Sequence, residues 1–134
     1  MSLSDVAAFY AVQGQKADNW SVGADSSAAI DTAGYHQAMI VFNAGTVGSS
    51  GTVDVKVQEC DTSGGSYTDV SGAAFTQVTA SNDDATYVGR VNLNGTKRFL
   101  KVVLTVGTAA CDAGTSVIMS PAYTGDGSTF SFEV

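Results

Sequence analysis

The residues able to do chemistry in this chain are few and scattered. The single histidine is His36, inside the strand-like run from Tyr35 to Phe42. A general base works only within hydrogen-bond reach of the proton it takes. In this setting His36 reads as an exposed or hydrogen-bonded strand residue. Serines are plentiful, yet none stands in a nucleophile elbow. There is no phosphate-binding loop, no dinucleotide fingerprint and no zinc-ligand spacing. Cys60 and Cys111 are the only cysteines, far apart and without a nearby histidine, so they make no metal pattern. Whether they pair stays open, although folding in a reducing compartment would keep both as thiols. Asp61, Asp69, Asp83, Asp84 and Asp126 stand in turn-like stretches. Calcium loops need several oxygen ligands at fixed spacing, whereas Asp beside Gly or Ser is ordinary turn chemistry. Asp83 and Asp84 are neighbours, and neighbours on a strand point apart, which disqualifies them as a glycosidase pair. The expectation is a non-enzymatic chain with no catalytic residue, no cofactor and no metal.

Composition narrows the partners. Six basic residues stand against thirteen acidic ones, a formal net charge of −7, with no basic cluster. Nucleic-acid binding and docking on anionic lipid both need the opposite balance. No apolar run approaches the ~20 residues of a spanning helix. The N-terminus lacks the basic start, apolar centre and small-residue cleavage site of a signal peptide, so folding where the chain is made is expected. Charged residues make up 14%, well under the usual share of about 25%, and this suggests a surface covered by contacts.

The elements that must position any site are strands. Val53, Val55 and Val57 alternate with Asp54, Lys56 and Gln58, the period of a half-buried antiparallel strand. Tyr35 to Phe42 is a second strand, closed by Asn43, Ala44 and Gly45. The turn from Thr62 to Gly65 leads into a returning strand at Tyr67 to Val70. Tyr87 to Leu93 follows, then Asn94-Gly95, a pair suited to a type I′ hairpin turn. Its expected partner runs from Arg98 to Val106, with Leu100, Val102, Leu104 and Val106 on one face. Ser116 to Tyr123 is the last core strand. No segment of helical length carries a 3.6-residue apolar period. The fold expected is all-β: an antiparallel β-sandwich or Greek-key, jelly-roll-like barrel of about seven strands, with extended terminal arms. Residues 1–134 form one domain: an N-terminal arm or first strand at 1–27, a core at 28–123 and a tail at 124–134.

Particular stretches carry a family resemblance. They are Ala29 to Tyr35 (Ala-Ile-Asp-Thr-Ala-Gly-Tyr), Val55 to Asp61 (Val-Lys-Val-Gln-Glu-Cys-Asp), Tyr67 to Val70 (Tyr-Thr-Asp-Val) and Gly95 to Val103. In order and spacing, from about Asp25 to Tyr123, the chain resembles a family of small structural proteins encoded beside the major capsid protein of tailed phages. It departs at Cys60, where a serine is more usual. The resemblance implies a capsid decoration (cement) protein on the surface of the virion. Its partner would be the major capsid protein, and a homo-oligomer, a trimer favoured, would bridge capsid subunits. Two alternatives are a tail or head–tail connector component and a carbohydrate-binding β-sandwich module. The latter draws on the scattered rings of Phe9, Tyr10, Trp20, Tyr67, Phe75, Tyr123, Phe130 and Phe132.

The two ends supply the candidate partner contacts. Val6, Phe9 and Tyr10 at one end, and Phe130 and Phe132 at the other, are apolar residues in polar or Gly-rich surroundings. Arms that dock on neighbouring subunits are therefore expected, dispensable to the stability of the central domain. The alternative is an arm folded back as an edge strand of its own domain.

Overall fold

The structure is a computed structural model and describes residues 9–121 and 131–134. Six strands of seven to eleven residues carry the body: β5 (Gln37–Val47), β6 (Thr52–Cys60), β7 (Thr68–Ala74), β8 (Ala85–Asn92), β9 (Phe99–Gly107) and β10 (Cys111–Ser120). Shorter strands precede and follow them: β1 (Tyr10–Gln13), β2 (Asp18–Trp20), β3 (Gly23–Ser26), β4 (Ile30–Asp31) and β11 (Phe132–Glu133). The first sheet has the order β1-β10-β5-β8-β11, with β2 also on β10. The second has the order β3-β9-β6-β7, with β4 also on β9. All pairings are antiparallel except that of β11 with β8. The expected all-β, antiparallel two-sheet sandwich is the fold observed.

Alternation explains the core. Val53, Val55 and Val57 of β6 face Leu100, Val102, Leu104 and Val106 of β9's inner face, all of them buried. From the first sheet come Ala38, Ile40 and Phe42 of β5 and Val117 and Met119 of β10. Phe42, Phe75 and Phe132 meet edge to face, with centroids 5.5 and 4.9 Å apart along that chain. Neither sheet could hide its apolar side alone, so each covers the other.

Two expectations change and one open choice is decided. First, Asn94-Gly95 does not join a hairpin. Strand β8 lies in one sheet and β9 in the other, and the link is a 3-10 turn at Leu93–Gly95 capped by the Asn92 side chain. Neither Asn94 nor Gly95 takes the positive φ that a type I′ turn requires. Burying Leu93 between the sheets, with its amide donating to the His36 carbonyl, outweighs the local turn preference. Second, of the two readings of the N-terminal segment, arm or first strand, its described residues take the strand. Strands β1 and β2 lie along β10, and β3 along β9, so the segment closes one open side of the sandwich. Third, the end of the presumed tail closes the opposite side. Ser131 donates to the Val88 carbonyl and Val134 to that of Arg90, while the Asn92 amide donates to the Val134 carbonyl. The Phe132 ring enters the core at 8% exposure.

A buried polar clamp holds the N-terminal segment. The Gln15 side chain, 2% exposed, accepts from Thr115 Oγ1 on β10 at 2.6 Å. Its Nε2 donates to the carbonyls of Val102 on β9 at 2.8 Å and Asp25 on β3 at 3.2 Å. One amide therefore ties the two sheets together. Among the described residues, every buried side-chain nitrogen or oxygen has a partner.

Candidate interaction surface

The outward side of the first sheet is built from alternate residues of β1, β10, β5 and β8. The strand register sets them in rows. Ala11, Ile118, Met39 and Arg90 form one row, and Gln13, Ser116, Val41 and Val88 the next. Ser120, Gln37 and Asn92 border it on one side, and Gly114, Asn43 and Thr86 on the other. Arg90 is the one charged side chain that these four strands place in the rows. Glu133 of β11 sits at the register position beside it. Met39, Val41, Val88 and Ile118 are half-buried and adjacent, a small apolar centre in a neutral frame. A hollow of about 90 Å³ opens within it, lined by Phe9, Gln37, Ala38, Met39, Arg90, Ile118 and Ser120.

The outward side of the second sheet has the opposite character. Lys56 Nζ lies 3.0 Å from Asp69, and Gln58 Nε2 donates to the same carboxylate at 2.9 Å. Gln58 first and Lys56 second hold the Asp69 carboxyl below the ordinary carboxylate range. Arg98 grips Asp31 through two nitrogens at 2.9 Å each. That pair, helped by the Ala33 amide, lowers the Asp31 pKa to about 2. Cations also cover rings there: Arg98 stands 5.1 Å from the Phe99 centroid and Lys101 Nζ 4.6 Å from that of Tyr67. Two ion pairs, Lys56–Asp69 and Arg98–Asp31, stand on this face, together with the Asp54 carboxylate held by Gln77.

The residues singled out from sequence separate on this map. Phe9 lines the hollow. Tyr10 is 53% exposed at the edge strand β1, stacked on Tyr35 at 6.2 Å. Phe132, expected as a partner contact, instead packs its ring edge-on to Phe75 over Gly89 in its own core. Val6 and Phe130 lie outside the described residues. His36 Nδ1 is 3.3 Å from Asn94 Oδ1. Asp83 accepts from the Val47 amide at 2.9 Å, and Asp84 holds φ 51° with its amide on the Gly45 carbonyl, whereas Asp69, expected in a turn, stands in strand β7, and Asp126 lies outside the described residues. Among the described residues, no three His, Cys, Asp or Glu side chains gather as a metal site.

For Met39 and Val41 the sequence carries a signal of this outward apolar side. Met39 to Phe42 is an unbroken apolar run where a half-exposed strand would alternate, and such a run marks a strand apolar on both faces.

An all-β sandwich of two antiparallel sheets, with one neutral and one charged outer face, is the class of protein defined here. Two solved structures share this fold. The SPBc2 prophage-derived protein YomS matches with a TM-score of 0.54 and 12% identity, over 83% of this chain and 91% of that one. The PBSX exported protein XepA matches with a TM-score of 0.62 and 16% identity, over 90% of this chain. This chain spans 39% of XepA's length. At these identities the likeness is one of fold. No protein-family model and no curated protein matches the chain.

Proposed function

We propose that this chain is a non-enzymatic structural protein of a tailed-phage particle, a capsid decoration (cement) protein bound to the head exterior through the major capsid protein. The observation that carries the reading is the division of the surface. One sheet carries several charged side chains and suits solvent, while the other presents rows with a single charged side chain, Arg90, around an apolar centre and suits a protein surface. The sequence resemblance from about Asp25 to Tyr123 supports it, as does a fold shared with two phage-derived proteins. A protein that binds the assembled lattice and not its free subunits stabilises the lattice by mass action. Trimeric clustering at three-fold positions belongs to the same proposal.

Packing weakens the carbohydrate-binding alternative. Phe75 and Phe132 are buried, Trp20 Nε1 is tied to the Ala113 carbonyl at 3.0 Å, and Lys101 covers a face of Tyr67. The test is electron microscopy of particles made with and without the gene. Sandwich-shaped density on the outside of the head, lost with the gene together with resistance of the head to heat, is the expected result. Density confined to the tail or connector would overturn it.

A further inference from the structure

Resting on the proposed attachment to the capsid, we infer that the neutral face of the first sheet is the docking surface itself. We infer further that its anchor is one aliphatic side chain of the capsid lattice inserted into the hollow beside Phe9, Met39 and Ile118.

Charge selects the face. With a net charge of −7, this molecule meets any other acidic surface at a cost unless it approaches through a region poor in carboxylates. Among the described aspartates, Asp25, Asp31, Asp54 and Asp69 belong to strands of the second sheet, and Asp61 directly follows its strand β6. Asp18, Asp83, Asp84 and Asp112 lie together at the end of the first sheet where β2, the Gly45 bend and the start of β10 meet. The rows centred on Met39 and Val41 carry none of them.

Area selects against a second copy as the occupant. Three strands over seven residues and β1 over its four, about 4.8 Å apart and rising about 3.4 Å per residue, give a footprint of about 400 Å². A stable standard-size pair buries about 800 Å² on each partner. Two copies meeting face to face fall well short. A seam between capsid subunits can add contacts beyond the rim, where Tyr10 stands exposed on β1.

Volume selects the anchor. An apolar cavity of about 150 Å³ accepts benzene. The hollow here, about 90 Å³, is smaller, and its size suits the branched end of Leu, Ile or Val or the tip of Met. Its lining combines apolar Phe9, Ala38, Met39 and Ile118 with a rim of Gln37, Ser120 and the charged Arg90. Side chains desolvated in a pocket at the centre of an interface carry a disproportionate share of its binding energy.

The test uses heads assembled without this protein, to which the purified full chain is added back. Wild-type protein should bind with an affinity that changes less than about threefold between about 50 and 500 mM NaCl, because no exposed ion pair forms. Val41→Asp and Val88→Lys, which charge the face from two different strands, should each weaken binding about tenfold or more. Ile118→Trp, which fills the hollow while keeping the face apolar, should do the same. Thr105→Asp on the second sheet should bind as wild type. Melting curves on every variant confirm folding. Sedimentation should show the same oligomeric state for wild-type protein and Val41→Asp.

Loss of binding in Thr105→Asp with retention in Val41→Asp and Val88→Lys, or steep weakening by salt, overturns the inference and leaves the decoration role standing. Normal binding by Ile118→Trp removes the anchor. A dimer that Val41→Asp converts to monomer makes a second copy the occupant and overturns the inference. Failure of wild-type protein to bind heads at all overturns the capsid role, and the inference with it.

Discussion

Gln15 is a polar residue where an all-apolar core would be simpler, and its position explains why. The carbonyls of Val102 and Asp25 and the Thr115 hydroxyl all converge at the seam where the N-terminal segment crosses from one sheet to the other. Buried polar groups must be matched, and a single carboxamide supplies both a donor and an acceptor. Gln15→Ala should destabilise the fold by about 2–3 kcal/mol in chemical denaturation, since it strands partners away from water. Asp31 and Arg98 make a different kind of contact, at the surface. The folded-state pKa of Asp31, about 2, lies below its ordinary value of 3.8. The pair's contribution is therefore full above the ordinary value and is lost as pH falls from about 4 through about 2. Being solvent-exposed, it is worth little at neutral pH. A carboxyl titration by NMR should show Asp31 returning towards the ordinary range in Arg98→Gln.

At the scale of elements, the terminal strands complete the sandwich. Strand β11 is only two residues long, yet Phe132 occupies space that exists because residue 89 is glycine. A Cβ at Gly89 would lie 2.2 Å from the Phe132 ring. Phe132→Ala should cost about 3–5 kcal/mol, and deleting residues 131–134 should cost at least as much. Gly89→Ala should cost about 1–3 kcal/mol in the wild type by overpacking. In a Phe132→Ala background it should cost less than about 1 kcal/mol, and a double-mutant cycle measures that coupling. Equal costs in the two backgrounds would mean that the ring does not sit on Gly89. The earlier expectation that the C-terminal residues are dispensable to the domain is thereby reversed for residues 131–134.

Across the whole molecule, the two cysteines lie at opposite ends. Cys60 pairs in register with Phe99, at the start of β9, whereas Cys111 begins β10 just after the turn that follows Gly107. The eight residue steps along β9 separate these ends by about 26 Å, far beyond the reach of a disulfide. Both thiols are free and buried. Burial first, and the neighbouring Asp112 carboxylate second, push the Cys111 thiol up, which keeps it in the unreactive form. Alkylation followed by mass spectrometry should find two thiols after unfolding, in oxidising and reducing buffer alike, and little Cys111 modification in the native protein. The same view from above shows why the faces differ. The paired charges lie on the second sheet, and the apolar residues left outside the core lie on the first.

The sequence by itself determined the strands and their inner faces, because a period of two is a local property that any packing must respect. Val53 to Val57, Leu100 to Val106 and the turn at Thr62 to Gly65 were legible for that reason. So was the second apolar side of Met39 to Phe42, had its unbroken run been weighed. Only the tertiary structure decided which strands share a sheet. Asn94-Gly95 has the chemistry of a hairpin turn, yet a 3-10 turn carries the chain across to the other sheet, since covering Leu93 gains more than a local turn does. Gln15, Phe132 and Gly89 owe their roles to partners 100, 57 and 43 positions away in the chain, at Thr115, Phe75 and Phe132. Contacts at such separations depend on how two sheets close over one core, and no short stretch of residues contains that information.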